Sequence, residues 1–341
     1  MPKIYNFAAM MRGKFISVFS QLGRQLGNAL SRGELDPIIA RAVSVNSWFT
    51  EFDIKYQIKT ICNQMLDEDN LNEWLKDIRI SECEKKVLVI MAGNIPLVGF
   101  FDLLCVLAGG HMAAVKTSSK DSVLMEYIFD ILKNITPDIP VKLYDGSENV
   151  DALIAMGGDN AVRVFREKYE GIPMLLRGSR YSVAVLDGRE TDEEITGLAT
   201  DITAYSGLGC RNVGLLFLPA GYDVVKIADS IRSVEHINKK IINNYAQRKA
   251  LLTMSGRNFS DCGCRILFES NTFPEAISQV NYTFYDSQTA VADWLAANDE
   301  SIQCVVGHMA HRRGVNFGQS QTPSLTDYPD GIDTMQFLSD I

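Results

Sequence analysis

A cysteine set between glycines is the first feature of this chain that points to chemistry. In Gly207-Leu-Gly-Cys-Arg-Asn212 the glycines let the backbone bend sharply, present the Cys210 sulfur and leave its own N–H free for an oxyanion. Arg211 beside it favours the thiolate, the form that attacks. A buried core cysteine is the competing reading. Gly93-Asn94-Ile95-Pro96 offers a complement, because the Asn94 amide can donate to a developing oxyanion, a role worth ~3–4 kcal/mol in comparable sites. The plain alternative there is a turn followed by a helix-opening proline. Lys116-Thr117-Ser118-Ser119 puts a cation and hydroxyls at a strand end, which suits the ribose and 2′-phosphate of NADP. Gly157-Gly158-Asp159-Asn160 offers free N–H groups to a pyrophosphate or nicotinamide ribose. Surface lysines and turn glycines are common at strand ends, so neither segment decides alone.

These residues need strands and helices to hold them. Residues 87–91 form a continuous apolar run ending in Ala92-Gly93, as a buried parallel strand does. The first eighty residues are helical in pattern; Thr50 with Asp53 makes a helix start, followed by Ile54, Ile58 and Ile61 at helical spacing. After residue 86 strand and helix alternate, which implies parallel sheets. Strands are expected at 113–116, 141–144, 152–156, 182–186, 213–218, 266–268, 282–285 and 302–306. Intervening helices are expected at 122–132, 161–168, 191–205, 223–234, 237–254 and 289–297. The expected organisation is a helical segment over 1–85, a cofactor-binding α/β domain over 86–206, a catalytic α/β domain with the nucleophile over 207–310, and an extended tail with a short helix over 311–341. The Cys210 loop begins like a dinucleotide fingerprint, but Asn212 stands at the third glycine position and the loop precedes a strand, the reverse of the Rossmann order.

Composition removes other classes. The 341 residues are 46% hydrophobic and 22% charged with a formal net charge of -9, which fits a globular protein and disfavours nucleic acid as a partner. The basic residues Lys3, Arg12, Lys14, Arg24 and Arg32 read as a solvated helix face. Seven cysteines without framework spacing argue for reduced thiols and the cytoplasm. No secretory signal and no membrane span is expected, since no window reaches ~18 uncharged apolar residues. Cys262-Gly-Cys264 has no second pair to complete a zinc site, and His308 and His311 have no nearby acid or thiol in sequence, so no metal is expected. His111, at a turn after two glycines, is assigned a structural role. No G-x-S-x-G elbow or Walker loop is present.

Taken in order, Met91-Ala-Gly-Asn-Ile-Pro-Leu-Val98, Val115-Lys-Thr-Ser-Ser-Lys-Asp121, Gly207-Leu-Gly-Cys-Arg-Asn-Val213, Phe317-Gly-Gln-Ser-Gln-Thr-Pro323 and Asp327-Tyr-Pro-Asp-Gly-Ile-Asp-Thr334 resemble the acyl-CoA reductase family of the aldehyde dehydrogenase superfamily. That family includes the fatty acyl-CoA reductase component of bacterial bioluminescence. The resemblance runs from about Asn46 to the C-terminus. It implies an aldehyde dehydrogenase-like fold with two Rossmann-like α/β domains and an N-terminal helical segment. It also implies that Cys210 carries an acyl group, that Asn94 helps form the oxyanion hole, that Lys116 and Ser118 or Ser119 meet the adenosine ribose and its phosphate, and that Gly157 and Gly158 lie beneath the cofactor. NADP(H) is the expected cofactor, with NAD(H) as the alternative, and acyl-CoA the expected substrate of a homo-oligomer, usually a dimer in this architecture. Oxidising members carry a glutamate base where Leu175-Leu-Arg-Gly-Ser-Arg180 stands here, so water attack on the thioester lacks a base. The competing functions are an acyltransferase that passes the acyl group from Cys210 to a partner protein, and an inactive scaffold of the same fold.

Overall fold

The apolar runs at 87–90 and 213–218 become central strands of two sheets in the computed structural model, which describes residues 2–81 and 83–341, with side chains from Met11 onward. The chain forms two units. One runs to Ser179 and is completed by Ser324–Ile341; the other is Arg180–Pro323.

The first unit opens with helices α1 (Pro2–Ser31), α2 (Asp36–Val45), α3 (Glu51–Thr60) and α4 (Glu68–Leu75). The Thr50 hydroxyl caps α3 by accepting from Asp53 N at 3.0 Å, as its sequence pattern requires. The sheet contains β1 (Lys86–Ile90), β2 (Met112–Lys116), β3 (Val141–Leu143), β4 (Ala152–Met156) and β5 (Met174–Arg177). Their order is β3-β2-β1-β4-β5, parallel throughout. Helices α5 (Phe100–Ala108), α6 (Ser122–Ile135) and α7 (Asp159–Lys168) follow β1, β2 and β4. The unbroken apolar run of β1 is needed because both faces are covered. Val87 and Val89 enter one core with Phe19, Leu22 and Leu26 of α1, whereas Leu88 and Ile90 enter another on the opposite face.

The second unit contains β6 (Tyr181–Val185), α8 (Asp192–Thr203), β7 (Val213–Pro219), α9 (Val224–Arg232), α10 (Lys239–Met254), β8 (Ser260–Asp261), β9 (Ile266–Glu269), β10 (Gln279–Tyr285), α11 (Gln288–Ala297), β11 (Ile302–Gly307) and β12 (Gly314–Val315). Its sheet runs β12-β11-β6-β7-β10-β9-β8, with only the β8–β9 pair antiparallel. The final helix, α12 (Thr334–Ser339), belongs to the first unit.

Three sequence expectations shift. The boundary between the α/β units falls after Ser179 rather than after residue 206, because β6 hydrogen-bonds between β11 and β7. The tail does not stay apart, because its last segment rejoins the first unit. The helix expected to open at Pro96 begins at Phe100, because Leu97 has a φ of 53° and breaks the helical path.

The returning segment is latched by a buried ion pair. Arg177 Nη2 donates to Asp102 Oδ1 at 2.9 Å and to Thr334 Oγ1 at 2.8 Å, and Nη1 donates to Pro329 O at 2.6 Å. His111 is fully buried; its Nδ1 accepts from Lys85 N at 3.2 Å, so its other nitrogen donates to Leu338 O at 3.0 Å. Burial lowers the His111 pKa, which fits its assigned structural role as a neutral ring. Of the basic N-terminal residues, Arg24 pairs with Glu68 at 3.3 Å in the open, whereas the Lys3 side chain lies outside those described. Among the described residues no helix is long and apolar enough to cross a membrane.

Candidate active site

In the first unit the strand order reverses between β1 and β4, and open parallel sheets bind ligands at the carboxyl end of such a point. Asn94 follows β1, Lys116 ends β2 with Ser118 and Ser119 just beyond, and Gly157-Gly158 follows β4. All the residues expected to hold a cofactor therefore lie on one edge of one sheet. The loops after β1 and β2 are pinned to each other. Met91 N donates to Lys116 O at 3.0 Å, and Leu97 N donates to Asp121 Oδ2 at 2.8 Å. A Cβ at Gly93 would lie 2.5 Å from Ser118 Oγ, so only glycine permits this approach. Asn46 Nδ2 donates to Gly93 O at 3.2 Å and steadies the segment leading to the exposed Asn94.

The edge fits a nicotinamide dinucleotide. Lys116 is exposed and has no ion-pair partner among the described residues. Gly158 caps α7 without a side chain, and a Cβ there would meet only Ser179 Oγ, at 4.0 Å, so an anion can approach this helix start; the Gly157 N–H, expected to be free, instead donates to Arg177 O at 3.1 Å.

Cys210 lies in the second unit, just before β7, at the amino-terminal edge of its sheet. The segment leading to it is strained. Helix α8 stops at Thr203, and then Tyr205, Ser206 and Gly207 have φ of 51°, 59° and 75°. The two non-glycine residues cost ~1–2 kcal/mol each, and their burial holds them there. Asn212 braces both sides of the loop. Its Oδ1 accepts from Gly209 N at 2.8 Å, while its Nδ2 donates to Asp201 O at 3.1 Å and Ala204 O at 2.9 Å, which closes the carbonyl end of α8. Asn212, which spoils the apparent dinucleotide fingerprint, is thus a structural brace of the cysteine loop.

Exposure separates the seven thiols. Cys105, Cys262, Cys264 and Cys304 are buried, Cys210 and Cys62 half-buried and Cys83 exposed. Burial pushes the thiol of Cys62 up to about 11 and that of Cys262 up to about 12, which disfavours the attacking form.

The missing glutamate has a structural counterpart. Residues 174–177 form edge strand β5, with Leu176 half-buried and Arg177 turned into the ion pair with Asp102, so neither supplies a base. His308 does meet acids, at 3.3 Å from Asp187 and 2.7 Å from Glu194, contacts its sequence neighbours did not reveal. Their hydrogen bonds, that of Glu194 foremost, raise its pKa. No cluster of metal-ligating residues occurs among the described residues.

Sequence reasoning passed over Asp201. Buried in α8, it accepts from Gly318 N at 2.6 Å, Ser320 N at 3.0 Å and Ser320 Oγ at 2.7 Å, and so anchors the Phe317–Pro323 motif. Burial outweighs these bonds and pushes its carboxyl up to about 6. A raised folded value favours folding fully below the ordinary carboxyl value of ~4, and that contribution is lost as pH rises through about 6. The Asp201→Asn variant lacks this titration. Between about pH 4.5 and about pH 7.5 its unfolding free energy should change relative to wild type by ~2 kcal/mol, the variant gaining at the higher pH. Parallel denaturant-derived stabilities at the two pH values would remove Asp201 from this account.

The two α/β units, each built on a mainly parallel sheet, define the aldehyde dehydrogenase fold. The chain aligns with aldehyde dehydrogenase 21 from Physcomitrella patens at a TM-score of 0.70 and 12% identity, over 98% of this chain and 85% of that one. It aligns with the NADP-dependent glyceraldehyde-3-phosphate dehydrogenase from Bacillus halodurans C-125, solved in complex with NADP, at a TM-score of 0.63 and 11% identity, over 88% of this chain and 75% of that one. Within that fold, residues 54–226 match the acyl-CoA reductase (LuxC) family, and the chain belongs to it. A curated relative, long-chain acyl-protein thioester reductase 2 of Photobacterium leiognathi, is 26% identical over 223 residues; the match covers 58% of this chain and 44% of the relative. The chain thus matches less than half of that protein's length.

Proposed function

We propose that this protein reduces an acyl thioester to an aldehyde through an acyl group carried on Cys210, with NADPH as the preferred cofactor. The observation that carries the reading is the Cys210 loop: a partly exposed thiol on a strained, doubly braced turn. The thiolate attacks the acyl carbonyl, and the Cys210 N–H and the Asn94 amide are assigned to the oxyanion that develops. The donor's thiol leaves and a Cys210 thioester remains. A bound nicotinamide supplies the hydride that reduces this thioester. Lys116, Ser118 and Ser119 are assigned to the adenosine ribose and its phosphate, and Gly157 and Gly158 to the turn beneath the dinucleotide. Cys210 returns to thiolate as the aldehyde departs. Leu176 and Arg177, standing where oxidising relatives have a glutamate, leave water without a general base, so the thioester persists until it is reduced.

The donor is a CoA thioester or an acylated protein. The name of the Photobacterium leiognathi relative speaks for the second, and the family description for the first. Incubation with octanoyl-CoA, or with an octanoylated carrier protein, followed by NADPH should release octanal. No aldehyde from either donor would reject the reading. Lys116→Ala should weaken NADPH binding by ~10-fold or more and NADH binding much less, since one charge-assisted phosphate contact is worth ~1.5–3 kcal/mol. Equal losses in titrations with the two cofactors would remove the preference for NADPH.

A further inference from the structure

The Ser182 hydroxyl lies at the start of β6 and is fully buried. Its oxygen is 3.0 Å from the Cys210 carbonyl oxygen, 3.3 Å from Cys304 N and 3.0 Å from Cys304 Sγ. A hydroxyl has one proton and two lone pairs. The Cys210 carbonyl can only accept, so it takes the proton. The lone pairs then receive the N–H and S–H of Cys304, and the bonding capacity of the hydroxyl is filled.

What Ser182 holds is the middle of a turn. Asn212 N donates to Gly209 O at 3.1 Å, which closes a β-turn with Cys210 and Arg211 at its central positions. The Cys210 carbonyl belongs to the central peptide, whose rotation by ~180° interconverts type I and type II turns. Type II needs a positive φ at the second central residue, and Arg211 does not have one. The peptide is therefore not in the type II orientation, which a non-glycine residue at Arg211 already disfavours by ~1–2 kcal/mol, and the bond from Ser182 adds to that preference and holds the peptide against smaller rotations. Gly209, on the other side, is held by Asn212. We infer that Ser182 is a positioning residue that locks the Cys210–Arg211 peptide and thereby aims the Cys210 sulfur. This inference rests on Cys210 being the acyl-carrying nucleophile.

Ser182→Ala removes the proton donor and leaves the central peptide held only by the local preference of Arg211. Single-turnover acylation by octanoyl-CoA and alkylation of Cys210 by iodoacetamide should both slow by ~10-fold or more, because small misplacements of a reacting group cost up to ~100-fold. NADPH affinity should be unchanged, since the residues assigned to it are on the other unit. Cys304→Ala is the control for packing. It deletes one group donated to Ser182 but keeps the bond to Cys210, so both rates should stay near wild type. Wild-type rates in Ser182→Ala, or equal losses in the two variants, would overturn the inference. Should Ser182→Ala not fold, Ser182→Thr and Ser182→Val give a pair of similar shape that differs by the hydroxyl. Threonine should then react faster than valine, and equal alkylation rates would count against the idea. If wild type is alkylated at Cys210 but takes no acyl group from octanoyl-CoA or from the octanoylated carrier protein, the thioester reading fails, while the alkylation comparison still decides the role of Ser182.

Discussion

Cys210→Ala should take up no acyl group from octanoyl-CoA, whereas wild type gains the mass of one octanoyl group per chain. Removing a nucleophile that forms the covalent intermediate costs ~10⁴–10⁶ in rate, far beyond a positioning defect. Six other thiols remain in the variant, so the experiment also tests whether Cys210 alone is chosen. Cys83 is exposed, and Cys62 is half-buried with a thiol pushed up to about 11, where the thiolate is scarce at neutral pH. An acyl adduct on either, mapped by peptide mass spectrometry in Cys210→Ala, would refute the assignment. NADPH binding, followed by fluorescence, should survive the substitution.

Arg177→Met should destabilise the first unit by ~3–5 kcal/mol, because it leaves the Asp102 carboxylate buried without its cation. The same change strips the Pro329 carbonyl and the Thr334 hydroxyl of a donor, so α12 loses its tie to β5. Replacing both partners, as Asp102→Leu with Arg177→Met, should recover much of the loss, since a buried ion pair differs little in net worth from packed hydrocarbon. Urea unfolding of the three variants checks this. A single variant no weaker than the double one would show that the pair is not desolvated as its burial implies.

The central strands were legible because a parallel strand covered on both faces is an unbroken apolar run, as residues 87–90 of β1 and 213–218 of β7 are. Strand β5 was not, because a buried arginine reads as a loop residue until its partner is known, and Asp102 lies 75 residues away. The end of α8 was missed for a related reason. Only Gly207 signals a left-handed backbone, whereas Tyr205 and Ser206 adopt it under the pull of their surroundings. Of the candidate site, the residues at strand ends could be read from alternation alone. The braces Ser182 and Asp201 could not, since each bonds a segment 28 or more residues distant and carries no motif of its own.

The Arg177 latch joins Asp102 to Thr334, so residues 102–177 wait for a segment synthesised well after them. At typical synthesis rates of ~5–20 residues per second, Arg177 spends many seconds in a half-built core while residues 180–323 are made. During that interval the nascent first unit lacks the strap that shields this arginine and receives the His111 hydrogen bond. A ribosome stalled before Ser324 would therefore display a first unit whose Asp102–Arg177 pair still lacks the Thr334 hydroxyl and the Pro329 carbonyl that complete it.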